Sequence, residues 1–245
     1  MRTRTILLSI AGAAIAVATI DGLVSLVSTR DAAAGPLDLA AVSKIRVSGT
    51  ASEIEITTKS EGPLTAELSG ERHGWAALWR SSWFSDACPA EGSLTVDGDT
   101  LLVDVGRAPH FLDWSDCRMT LSANAREGTA VIIDQKAARM TLDGEFSLVQ
   151  VNSDAGDFHF TGHAHEIDVA GAALRARLAF ERVANDEVIA ISGKMLDATL
   201  RFLTPTPVSY AVETIASYVD SALPNTPGAK PSIRIKGEMA RVRIE

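Results

Sequence analysis

Aromatic residues are scarce in this sequence, at 5%, and there are only two cysteines, Cys88 and Cys117. Positive charge is also in deficit: 23 Lys and Arg stand against 31 Asp and Glu, a net charge of −8. Phosphate binding needs a positive field, so nucleic acid is excluded as the main partner. The signatures C-x-x-C, G-x-S-x-G, H-E-x-x-H and G-x-x-x-x-G-K-[ST] are all missing, which removes the common redox, hydrolase, zinc-protease and P-loop readings. Glycine (18) and proline (9) are near average, which rules out collagen-like and Pro-rich chains. The hydrophobic share, 46%, is that of a globular protein. A chain of 245 residues makes one large domain or two small ones.

The N-terminus carries a compartment signal. Arg2 and Arg4 precede a mostly apolar run over residues 6–27. As an uncleaved anchor, that run is long enough to cross a hydrocarbon core of about 30 Å. As a cleaved signal peptide, it would offer Ala16 and Ala18 as an A-x-A site. Asp21 weakens the anchor reading. Under either reading the basic end stays in the cytoplasm and the rest is exported. The expected location is the inner membrane facing the periplasm, or the periplasm itself after cleavage. Without residues 1–27 the chain has 21 basic and 30 acidic side chains, a net −9. Contact with the membrane is therefore expected only through residues 6–27. Residues 28–42 read as a tether.

An even cysteine pair in an exported chain favours a Cys88–Cys117 disulfide. It would close a loop of about 30 residues, worth roughly 3 to 4 kcal/mol.

From residue 43 onward, short alternating apolar runs bounded by Gly, Asp, Ser and Asn predict strands. The middle of the chain repeats itself. Residues 139–156 align on residues 157–174 without a gap: Met140 falls on Phe158, Leu142 on Phe160, Gly144 on Gly162, Val149 on Ile167 and Val151 on Val169. Alternating strands with corner glycines at such a period predict a stacked β-solenoid over residues 43–245, with an evenly spaced β-sandwich as the alternative.

Residues 45–56 (IRVSGTASEIEI) and the coils between Met119 and Ile191 resemble the bacterial "putative adhesin" β-solenoids of the head-GIN-domain type. The resemblance implies a cell-envelope protein with no known catalysis. Residues 71–92 and 206–227 depart from that pattern.

The second departure predicts a capping helix over about 207–222. Thr206 and Pro207 suit its start. Val208, Ala211, Val212, Ile215, Tyr218, Val219, Ala222 and Leu223 fall on one helical face. Beyond it, Ile233, Ile235, Val242 and Ile244 alternate with Arg234, Lys236, Arg241 and Arg243. These predict closing strands whose charges protect a sheet edge.

All four tryptophans, Trp75, Trp79, Trp83 and Trp114, lie in a cysteine-tied insert over residues 71–117, with Phe84 and Phe111. Trp75, Trp79, Trp83, Phe111 and Trp114 form the candidate binding surface, the competing reading being a buried cap. His159, His163 and His165 sit with Asp157, Glu166 and Asp168. The glycine corner at Gly162 divides these histidines, so a solvated polar face is expected and no metal or other cofactor. Asp154 and Asp157 are the best carboxylate pair for polysaccharide hydrolysis, although Asp is also an ordinary corner residue. The expected function is a non-enzymatic binding or structural role toward an envelope glycan or envelope protein. The alternative is a polysaccharide-active enzyme using Asp154 or Asp157.

Overall fold

The computed structural model describes residues 34–73, 92–106, 116–184, 186–204 and 206–245. The chain divides into two compact units. The larger comprises residues 34–69, 92–107 and 119–245 and is the solenoid. The smaller comprises residues 1–33, 70–91 and 108–118, most of them outside the described residues. The predicted export segment and all of Trp75, Trp79, Trp83, Phe111, Trp114 and Cys88 lie outside the described residues. The side chain of Cys117 is likewise outside the description.

The described residues are all β. Ten strands follow in order: β1 (Ala34–Asp38), β2 (Lys44–Thr57), β3 (Thr65–His73), β4 (Gly92–Asp97), β5 (Thr100–Val105), β6 (Asp116–Asn124), β7 (Thr129–Phe180), β8 (Val188–Phe202), β9 (Ser209–Ser221) and β10 (Ser232–Ile244). The principal sheet order is β1-β3-β6-β2-β7-β8-β10-β9. β1 thus falls inside the span read as a tether. Its Leu37 and Asp38 pair with Ala66 and Thr65, and Leu39 after it is buried. β4 and β5 form a hairpin inside the span read as an insert, and β5 pairs with residues 44–49 of β2.

The coils stack in parallel register. β2 pairs with β7, β7 with β8, β8 with β10, and β10 with β9, all parallel. Sandwiches are built from antiparallel sheets, so this pairing establishes the solenoid over the sandwich. Inside β7 the 18-residue repeat is one coil. Asn152 Nδ2 donates to Asp134 Oδ1 at 3.2 Å, and Arg177 contacts His159 at 2.8 Å, each 18 residues apart. Like side chains therefore stack in columns. Ile45, Val131, Val149, Ile167, Ile189 and Ile233 form one, and Ile54, Met140, Phe158, Ala176, Ala198 and Val242 another; all are buried. Phe160, Phe180 and Phe202 build a further stack, with ring centroids 5.7 and 4.9 Å apart. Each such side chain removed from water contributes roughly 1.5–3 kcal/mol.

The helix expected over 207–222 is instead β9, a correction with a definite cause. β9 pairs with β10 from Ser209 to Ser221. Each coil turns a corner, and at the β9 corner Ile215 is skipped between the pairs Thr214–Gly237 and Ala216–Met239. That extra residue reverses the strand parity. Tyr210 and Val212 before the corner, and Ser217 and Val219 after it, therefore match the buried positions Ile233, Ile235, Ala240 and Val242 of β10. Two strand arms joined at a parity reversal space Val212 and Val219 seven residues apart, which mimics two helical turns. The β-branched residues of the segment also favour strand.

The expected edge at residues 233–244 is corrected too. β10 lies between β8 and β9, and the edge strand is β9. Two bases of β10 meet acids: Lys236 reaches Glu213 at 2.9 Å and Arg243 reaches Asp220 at 3.6 Å.

Candidate functional site

A groove of about 850 Å³ runs across the coils just past this corner. Its floor is one register column, Ala155, Ala173, Met195, Met239 and Ala216, contributed by β7, β8, β10 and β9. The half-exposed Met195 and Met239, flanked by Ala173 on one side and Ala216 on the other, make an apolar strip. Thioethers are flexible and polarizable, and suit an adaptable contact surface.

The rim beside this floor is a charge ladder. Glu53, Arg139, Asp157, Arg175, Asp197 and Arg241 occupy successive rungs with alternating sign, and Tyr218 ends the column. Arg139 lies 3.9 Å from Glu53, and Arg175 lies 3.6 Å from Asp197. In the neighbouring column, His159 lies 3.2 Å and Arg177 3.8 Å from Asp157. Arg241 is exposed and forms no ion pair among the described residues. It stands in register with Tyr218, which is 62% exposed. The groove therefore ends in an aromatic ring beside an available guanidinium.

The three histidines are not brought together. His159 contacts Asp157 on the groove rim. His163 is buried, its Nδ1 3.3 Å from Oε1 of the fully buried Glu187. His165 is exposed and 3.2 Å from Asp186. Glu187 also accepts the backbone N–H groups of Ala184 and Asp186, so it ties the β7–β8 loop. Among the described residues no three His, Cys, Asp or Glu converge as metal ligands. Of the two corner carboxylates, Asp154 is exposed, while Asp157 lies beside the Arg177 guanidinium and the His159 ring.

Sequence reasoning missed the groove. Its residues become visible as a set only when the 18-residue column is extended through β8, β10 and β9, whose spacings differ. Tyr218 was assigned to the expected helix, and Met195 and Met239 carry no motif.

No family model matches the chain, and no curated protein sequence matches it. Seven chains among the solved structures are similar, among them two named for adhesion. One is named as a "putative cell adhesion protein" from Clostridium sporogenes, 12% identical, covering 86% of this chain and 96% of that one, with a TM-score of 0.45. The other is named as a "putative adhesin" from Bacteroides fragilis, 14% identical, covering 86% of this chain and 95% of that one, also with a TM-score of 0.45.

Proposed function

We propose that this chain is an exported cell-envelope protein that acts by binding, without catalysis. The observation that carries this reading is the corner groove. Its acidic rim groups are neutralised by neighbouring rungs, and it offers an apolar floor, a tyrosine and one available guanidinium. Aromatic faces stack on sugar rings and guanidinium groups pair with carboxylates, so the chemistry fits a carboxylate-bearing envelope glycan. The second proposed contact is the segment holding Trp75, Trp79, Trp83, Phe111 and Trp114, held by a Cys88–Cys117 disulfide. Export rests on Arg2, Arg4 and the apolar run over residues 6–27.

Co-sedimentation of the full-length chain with isolated envelope glycan tests the reading. Tyr218→Ala and Arg241→Ala lower binding while leaving the melting temperature unchanged. Trp75→Ala, Trp79→Ala and Trp83→Ala do the same if that segment is a surface, and melt early if it is a buried cap. Release of reducing ends from the glycan, abolished by Asp154→Asn or Asp157→Asn, would establish the enzymatic alternative instead.

A further inference from the structure

The free edge of β9 carries a second site, distinct from the groove and independent of its ligand. In a parallel ladder, successive residues point their N–H and C=O alternately to one neighbour and to the other. The Ser209 N–H donates to the Pro231 carbonyl, and the Ala222 N–H to the Ile244 carbonyl. This parity aims the peptide groups of Tyr210, Val212 and Thr214 on one arm, and of Ser217 and Val219 on the other, away from β10. Tyr210 is already satisfied: its N–H donates to Asn225 Oδ1 at 3.1 Å, and Asn225 Nδ2 donates to its carbonyl at 2.9 Å. The loop therefore covers the edge only as far as Tyr210. The peptide groups from Val212 to Val219 have no partner on that side among the described residues. Ile215 at the corner is 87% exposed. Sheet edges are ordinarily blocked by lysine, proline or a bulge, and the only charges on β9 are Glu213 and Asp220.

We propose that this edge accepts an extended peptide strand bearing basic side chains seven residues apart. The chemistry of the occupant is set by the rungs already in place. Lys236 of β10 faces Glu213, and Arg243 faces Asp220, at that seven-residue spacing. Both carboxylates are about half exposed and keep lone pairs for a second cation from the next strand. The added strand gains main-chain hydrogen bonds for affinity and the two acids for register. A second copy of β9 brings Glu213 and Asp220 against the same acids under any two-fold pairing that matches the charged positions, so self-pairing is disfavoured.

The test uses the full-length chain and a labelled synthetic peptide with the sequence of residues 232–244, the strand β9 is already seen to accept. Fluorescence anisotropy detects binding that weakens with added salt. Substituting glutamate in the peptide at the positions equivalent to Lys236 and Arg243 weakens it by about tenfold. Two protein variants probe the edge. Val219→Pro removes a donor that points away from β10 and abolishes binding. The double variant Glu213→Lys with Asp220→Lys leaves the backbone unchanged and lowers binding by a similar tenfold factor, which keeps the test decisive if Val219→Pro does not fold. Undiminished peptide binding in the double variant overturns the proposal, as does undiminished binding in a folded Val219→Pro. Sedimentation showing that the full-length chain dimerises through this edge also overturns it, by making a second copy the occupant. Glycan binding measured on the Glu213→Lys, Asp220→Lys double variant is unaffected, so failure here is separate from failure of the groove.

Discussion

Gly162 stacks directly on Gly144: a Cβ built on Gly162 would lie 2.0 Å from the Gly144 carbonyl oxygen. Both residues have φ near +130°, where side-chain-bearing residues rarely sit. The corner therefore needs glycine for its backbone angle and for the spacing between coils. Gly162→Ala is expected to destabilise the solenoid by at least about 2 kcal/mol, combining backbone strain with displaced coil packing. Thermal unfolding followed by circular dichroism checks this; a melting temperature equal to that of the parent chain would falsify it.

The buried Glu187 gives a second expected loss. Glu187→Ala leaves the N–H groups of Ala184 and Asp186 without their acceptor and opens space beside the buried His163 ring. The expected cost is about 3 kcal/mol, in the range for breaking a buried polar pair. Hydrogen exchange in Glu187→Ala should show lost protection around Ala184 and Asp186 before global unfolding.

The phenylalanine stack predicts cavity behaviour. Phe180 is fully buried between Phe160 and Phe202. Phe180→Ala is expected to cost about 3–5 kcal/mol, and Phe180→Leu clearly less. Denaturant melts of the two variants distinguish a packing column from a tolerant surface; equal midpoints contradict the column.

Two charged groups predict opposite pH windows. Partial desolvation lowers the Lys59 pKa, but hydrogen bonds and charge from Asp143 and Glu181, at 2.7 and 2.9 Å, outweigh it and hold the value above the usual lysine range. Its contribution is present below the ordinary lysine value near 10.5 and is lost as pH rises through the raised folded value. These exposed pairs are worth up to about 1 kcal/mol. Asp99 is held below the usual carboxylate range, chiefly by the Ser43 hydroxyl and then by Thr100. Its contribution is present above the ordinary aspartate value and fades as pH falls through the depressed folded one. Lys59→Met should therefore flatten only the alkaline limb of a stability–pH profile, and Ser43→Ala only the acid limb.

The middle of the solenoid was legible because its period is constant. Met140 over Phe158 and Gly144 over Gly162 follow directly from an 18-residue spacing that each coil needs to present the same face to the next. Legibility ended where spacing changed. From β7 to β8 the register shifts to 22 residues, as in Glu166 opposite Val188, and β10 meets β8 at 44, as in Ser232 opposite Val188. Alternation alone cannot tell which strand lies beside which, so β10 was read as an edge although β9 covers it. The parity reversal at Ile215 hid β9 behind a helical pattern. The groove crosses these irregular rungs, and Arg241, Met239 and Tyr218 share it only through their order in the sheet.

That order constrains how the chain acquires its shape. β10 follows β9 in sequence but lies between it and β8. The solenoid therefore cannot grow one rung at a time in the direction of synthesis. β9 finds its parallel partner only after residues 232–244 have emerged, and until then the edge of β8 is the growing end. The loop after β9 is tied to the same strand, with Asn225 bonded to both peptide groups of Tyr210. The final rungs would therefore close together in a single late step.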